Sequence, residues 1–137
     1  MANMTIWYEG DLSTRVLHEG NHAEIYTDAP KEVSGLGRHF SPTDLVAVAL
    51  GTCVLTLMGM AAKSLHIDIQ GTRASVSKKM HTSSPRRIQS IRIEIFCPHT
   101  FQEGTTLALI QAAETCPVHA SLHPEMQKEF VYHWGTP

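Results

Sequence analysis

The sequence predicts a mixed chain of strands and helices: two small β-meanders separated by one long helix, then a second helix and a last strand. Short β-rich runs with turn residues between them fill the first 27 positions, and Leu45–Ala62 runs for 18 residues without a charge. Further on, Ile91, Ile93 and Ile95 alternate with Arg92, Glu94 and Phe96. With 137 residues, 42% of them hydrophobic, the chain is expected to form one domain, 1–137, with enough apolar content for a core.

In order, the first strands lie near Thr5–Tyr8, Thr14–His18 and Glu24–Thr27, with turn residues at Glu9–Gly10–Asp11 and Gly20–Asn21. They make an antiparallel meander. Asp28 to Phe40 carries Pro30, Gly35 and Gly37 with little apolar periodicity, and reads as a loop of a length that often borders a site. A helix starts after it. Ser41 suits the cap, Pro42 the first helical position with its missing N–H, and Asp44 completes an S-x-x-D variant of the capping box.

That helix is expected to end near Ser64. Its uncharged run touches the lower limit for a membrane span, but Gly51, Thr52, Cys53, Thr56 and Gly59 interrupt it and no aromatic belt flanks it. The centre of a soluble core or of a dimer explains it better. Ala47, Ala49, Gly51, Gly59, Ala61 and Ala62 are small enough to let another backbone approach, so close helix–helix contact is expected there.

The second meander comprises Gln70–Met80 and Ile88–Cys97, the isoleucines turned to a covered face. A second helix runs from about Thr105 to Thr115, with Leu107, Ile110 and Ala113 or Glu114 marking its faces. Cys116–Pro117 breaks it, because a residue before proline is pushed away from helical angles. Pro117 opens a short helical turn to about Leu122, and Glu129–Trp134 is the last strand.

The formal net charge of −2 argues against nucleic acid or an anionic membrane surface as a partner. The one basic cluster, Lys78, Lys79, Arg86 and Arg87, brackets a turn at Ser83–Ser84–Pro85 and reads as a solvated hairpin end, with no interleaved aromatics for base stacking. The N-terminal residues lack the pattern of a secretory signal, so a cytoplasmic location is expected. Three cysteines fit reduced, partly functional thiols better than a disulfide framework.

Cys53 lies in the apolar helix, where a thiol would ordinarily be inert, since burial raises its pKa and the thiolate is the reactive form. A charged group must be brought to it. The nearest in sequence are Arg38 and Asp44, with Arg15 further off on a predicted strand. Cys116, directly before Pro117, sits at a helix N-cap, where free N–H groups favour an anion. Cys97 ends an alternating strand and reads as structural. Cys116, His119 and His123 have spacings that could hold a metal on one helical face, a weak signal of three ligands at most, so no metal is expected. Phosphate-loop, G-x-S-x-G and H-E-x-x-H patterns are absent, and no cofactor is expected.

The segments FSPTDLVAVALGTC, PRRI and ETCPVHASL, in that order and spacing, together with TDAP at Thr27–Pro30, resemble the OsmC/Ohr family of thiol-dependent peroxidases. The match covers nearly the whole chain. The resemblance implies an α+β fold with two antiparallel sheets flanking two central helices, built as an intertwined homodimer with two sites at the subunit interface. It implies that Cys53 attacks a peroxide to give a sulfenic acid and that Cys116 condenses with it to a disulfide. An arginine and a carboxylate complete such a site. The family's glutamate after the helix-start proline is replaced by Thr43, with Asp44 one position on, and one residue turns a helical side chain by about 100°. Arg15 and Arg38 are both eligible as the arginine, Arg15 being favoured for reach across a dimer.

The resulting expectation is a homodimeric thiol peroxidase acting on organic hydroperoxides or other small peroxides. A dithiol reductant, such as a lipoyl or thioredoxin-like protein, would recycle it. Val48, Leu50, Leu55, Leu57 and Met58 would wall the thiol and favour an organic tail. The rival reading is a non-catalytic small-ligand or metal-binding protein of the same fold.

Overall fold

Residues 3–137 are described by the computed structural model, in which the chain divides into two units, Met1–Val46 and Ala47–Pro137. In the first, strands β1 (Met4–Gly10), β2 (Ser13–His18) and β3 (Glu24–Asp28) form an antiparallel sheet in the order β1-β2-β3. The register pairs Trp7 with Arg15 and Arg15 with Tyr26. The β1–β2 turn falls at Asp11–Leu12, both with positive φ. Ile6, Tyr8, Ile25 and Tyr26 are exposed, whereas among the described residues of this unit the buried ones are Ser13, Thr27, Asp28 and Ser41, every one polar.

The segment after β3 folds back on itself. Gly35 N–H donates to Pro30 O at 3.0 Å and Gly37 N–H to Ala29 O at 3.2 Å. A Cβ on Gly35 would lie 1.8 Å from Ala29 O, so only glycine permits this approach. Asp28 N–H then reaches Phe40 O at 3.2 Å and closes the loop just ahead of helix α1 (Pro42–Ser64). The capping box is reciprocal as predicted: Asp44 N–H donates to Ser41 Oγ at 3.1 Å, and Ser41 N–H to Asp44 Oδ2 at 3.0 Å.

Although α1 is apolar all round, its buried residues form one stripe, Ala47, Leu50, Gly51, Val54, Met58 and Ala62. By length and composition this helix could cross a membrane, and a third of its most apolar stretch is buried. The helix–helix contact expected at its small residues is, at Gly51, a helix–strand contact: a Cβ there would meet Val76 Cγ2 at 2.7 Å. Gly59 meets nothing within 4 Å.

The second sheet joins β4 (Arg73–Met80), β5 (Ile88–Cys97) and β6 (Gln127–Trp134) in the order β4-β5-β6. Ile91, Ile93, Ile95 and Cys97 are buried and Arg92 is exposed, as the alternation predicts. Both sheets were expected to be antiparallel. This one is mixed, because β6 pairs with β5 in parallel, Ile93 opposite Phe130 and Cys97 opposite Trp134. A parallel neighbour needs a long crossover, and α2 (Glu103–Glu114) and α3 (Pro117–Ser121) supply it. Helix α2 buries Leu109 and Ala113, one turn apart, and leaves the predicted face-marker Leu107 exposed.

Candidate active site

Cys53 and Cys116, 63 positions apart in sequence, come together in the second unit. Cys53 lies on α1 beside the buried stripe and is half-buried, and its thiol is close enough to Cys116 to perturb it. Cys116 is fully buried, and both thiols are free. Pro117 fixes the start of α3, leaving Cys116 in extended geometry as its N-cap, and Cys116 Sγ accepts the His119 N–H at 3.3 Å.

The cap therefore forms, but it does not activate the thiol as the sequence suggested. Burial pushes the Cys116 thiol above its ordinary value, the His119 N–H pulls it down, and the neighbouring Cys53 pushes it up again; burial is the largest of these. Sequence spacing reveals a helix cap and cannot reveal how deeply its side chain is buried. Cys97 is also fully buried, on the covered face of β5.

The two candidate arginines and Asp44 belong to the first unit. Arg15 donates from Nε to Glu9 at 3.2 Å and from Nη1 to Glu24 at 2.9 Å, and its guanidinium carbon sits 4.1 Å from the centre of the Trp7 ring. Arg38 binds Asp28 through Nε at 3.0 Å and Nη2 at 3.1 Å, a bidentate pair. Asp44 bonds within the helix start and borders a cleft shared with Asp28, Lys31, His39 and Ser41.

The sequence reading passed over Asp28 and Ser13. Asp28 is fully buried, and Arg38 and Ser13 together hold its carboxyl well below the ordinary carboxylate range against the opposing cost of burial. The only local sign of it is an acid at the end of a β-rich run, inside the TDAP segment. A cleft of about 270 Å³ opens beside it, lined by Glu9, Thr14, Tyr26, Arg38 and His39 among others.

The expected apolar wall around Cys53 is divided. Leu50 and Met58 are fully buried, while Val48 and Leu55 line a shallow cleft of about 240 Å³ with Gly51, Thr52, Ala74 and Val76. The weak metal spacing does not assemble: His119 offers its backbone to Cys116, and His123 Nδ1 accepts the Glu125 N–H at 3.1 Å. Among the described residues no group of three or more His, Cys, Asp or Glu could hold a metal ion.

The family model described as OsmC-like protein matches residues 35–130. A solved structure from Psychrobacter arcticus 273-4, of a protein assigned to osmotic stress induction and detoxification response, is 39% identical, with a TM-score of 0.93 over 97% of this chain and 96% of that one. An organic hydroperoxide resistance protein OsmC of Legionella pneumophila shares the fold at 13% identity, with a TM-score of 0.77 over 97% of this chain and 96% of its own. One from Elizabethkingia anophelis does so at 14% identity and a TM-score of 0.78, over 98% and 96%. No curated protein matches. The family match and the 39% identical structure agree with the free thiol pair, and the chain belongs to the OsmC/Ohr family.

Proposed function

We propose that this protein is a thiol peroxidase that reduces organic hydroperoxides or related small peroxides. The observation that carries the reading is the thiol pair: a half-buried Cys53 beside a fully buried Cys116, two free cysteines brought together from distant positions. Family membership supports a redox role of this kind. The Legionella and Elizabethkingia proteins are described as organic hydroperoxide resistance proteins, and their shared fold suggests the substrate class.

In this mechanism the Cys53 thiolate attacks one peroxide oxygen, the O–O bond breaks, and the other oxygen leaves as an alcohol after gaining a proton. The resulting sulfenic acid is attacked by Cys116, releasing water and forming the Cys53–Cys116 disulfide. A dithiol, such as a lipoyl or thioredoxin-like protein, restores both thiols by exchange. Arg15 and Arg38 remain the candidates for the arginine that the family resemblance implies, and Asp44 for its carboxylate. Arg15 is engaged by two carboxylates and an aromatic face, and Arg38 by the Asp28 carboxylate with Asp11 nearby.

We further propose a single domain spanning 1–137, working in the cytoplasm as a homodimer. The cover of 97% of the chain by one relative supports the first point. Exposed Met4, Ile6 and Tyr8 on β1 and Met60 on α1 support the last, since so much apolar surface is characteristic of an interface.

Turnover of an organic hydroperoxide with a dithiol tests the reading. Cys53→Ser is expected to abolish it, and one equivalent of peroxide to link Cys53 to Cys116 in a non-reducing peptide map. Equal turnover by Cys53→Ser and the parent protein would falsify the mechanism. Such a result would favour the rival, a non-catalytic binder of a small apolar ligand. The open apolar cleft along Val48, Gly51 and Leu55 gives that rival its one support.

A further inference from the structure

Among the described residues two buried side-chain atoms have no hydrogen-bond partner, His119 Nδ1 and Tyr132 OH, and both belong to the second unit. His119 shares the α3 turn with Cys116, and its backbone N–H donates to Cys116 Sγ at 3.3 Å. Covalent geometry keeps Nδ1 within about 5 Å of that amide nitrogen in every rotamer, so the orphaned nitrogen is never far from the thiol. Phe130 of β6 covers the imidazole, the two ring centres 5.3 Å apart at a tilt of 57°. Tyr132 follows two residues along the same strand, on the same face.

Packing alone is a poor account of His119. A buried polar atom left without a partner costs about 1–3 kcal/mol, and an apolar ring would pack on Phe130 without that cost. What the cysteine pair lacks is a base. Cys116 is fully buried, burial is the main cause that holds its proton on, and a thiol attacks only as thiolate. Tyr132 cannot take that proton, because burial and then the nearby Glu114 carboxylate push its hydroxyl well above the ordinary value and keep it protonated. His119 can. A proton on Nδ1 would be a buried donor with nothing to receive it, which favours the tautomer protonated at Nε2 and leaves Nδ1 basic. That Nδ1 makes no hydrogen bond in the resting protein is no obstacle, since catalytic hydrogen bonds commonly tighten only as the reaction proceeds.

We propose that His119 is the general base for Cys116 in disulfide formation. The role rests on the peroxidase reading above and adds to it the group that makes a buried thiol reactive. Once Cys53 carries a sulfenic acid, Nδ1 takes the proton as the Cys116 S–H bond breaks, and the electron pair left on sulfur forms the bond to the Cys53 sulfur. The Cys53 S–O bond breaks at the same time. The departing hydroxide recovers the proton from Nδ1 and leaves as water, so His119 ends as it began and no further oxidant or reductant is consumed. Packing and base catalysis make different demands on this position. If His119 only covers Phe130, an apolar ring serves as well; if it carries the proton, only the nitrogen does.

The test is His119→Phe in the full-length protein, given one equivalent of cumene hydroperoxide and sampled over time. Three quantities are followed: peroxide remaining, Cys53 labelled by dimedone as sulfenic acid, and the Cys53–Cys116 disulfide in a non-reducing peptide map. The expected result is disulfide formation slowed roughly 100- to 1,000-fold, within the usual range for a lost general base, with dimedone-labelled Cys53 accumulating and the peroxide consumed as by the parent protein. In His119→Ala, which leaves room beside Phe130, added imidazole should speed disulfide formation, as it would not for a residue that only packs. A disulfide formed by His119→Phe at the parent rate overturns the proposal. So does an equal slowing of both steps, which marks a packing role, or a His119→Ala protein that imidazole leaves unchanged. If the parent protein consumes no peroxide, the peroxidase reading fails and the role of His119 with it. If the parent forms the disulfide and His119→Phe does so as fast, only the role of His119 falls. Should His119→Phe not fold, His119→Gln keeps a polar side chain without a base and must show the same split between the two steps; an even slowing, or none, is again a refutation.

Discussion

The two units of the chain bury different kinds of residue. Among the described residues of Met1–Val46 the buried side chains are Ser13, Thr27, Asp28 and Ser41, while Ile6, Tyr8, Ile25 and Tyr26 remain exposed. In Ala47–Pro137 they include Leu50, Val54, Met58, Ile91, Ile93, Ile95, Leu109 and two cysteines, with no charged group among them. A core of the second kind is held by removal of apolar area from water, which is large and indifferent to pH. A knot of the first kind depends on hydrogen bonds, each worth about 1 kcal/mol net, and on the ionisation of its one carboxylate. The second unit is therefore suited to holding two thiols in a fixed relation, and the first to presenting a charge.

The largest effect that would sharpen this contrast comes from Ile93, fully buried in the middle of β5. Ile93→Ala is expected to cost about 2–5 kcal/mol, the transfer of the lost carbons plus the cavity left behind. Urea unfolding at pH 5 and pH 8 checks it. The loss should be the same at both, and a strong pH dependence would mean that ionisable groups contribute more to this unit than its apolar burial suggests.

Acid should act on the other unit first. The Asp28 carboxyl is held below its ordinary value by Arg38 and then Ser13, so its unfolded value, near 4, lies above its folded one. Its contribution to stability is fully present above about pH 4 and is lost as pH falls toward the folded value, because the unfolded chain binds the proton first. Glu94 on β5 is lowered as well, by His133 and then Arg92, but its side chain is partly exposed and solvent screens it. Each unit has one tryptophan, Trp7 and Trp134. In single-tryptophan variants, Trp7 fluorescence is expected to report an acid transition at higher pH than Trp134 fluorescence does. Asp28→Asn should flatten the Trp7 transition, and coincident transitions in the parent protein would break the comparison.

These differences also explain what the sequence revealed. Periodicity and caps are local, so the Ile91–Ile95 alternation, the start of α1 and the break at Cys116–Pro117 were all legible. The parallel pairing of β6 with β5 was not, because register between strands separated by two helices leaves no mark on either strand. Nor was the burial of Leu109 rather than Leu107, since a short helix with apolar residues on several sides does not announce which side is covered. Among the candidate site residues, Cys53 and Cys116 stood out by motif. The Asp28–Arg38 pair, ten residues apart across a loop without periodicity, had only its residue types to advertise it.

Ser41 offers the finest test, since it is a polar buried residue of the first unit whose bonds begin α1. Its hydroxyl accepts the Asp44 N–H, and its own N–H is accepted by the Asp44 carboxylate, so each residue satisfies a group that the helix start leaves unpaired. Ser41→Ala is expected to cost about 1 kcal/mol, the usual price of a lost cap. Asp44→Ala should cost at least as much, since it removes the other bond of the pair. Combined, the two should cost less than their sum, because the second substitution removes part of what the first has already loosened. Denaturant midpoints of the four proteins measure this. Strict additivity would show that the two bonds form independently, and that Asp44 has effects on stability beyond the start of the helix.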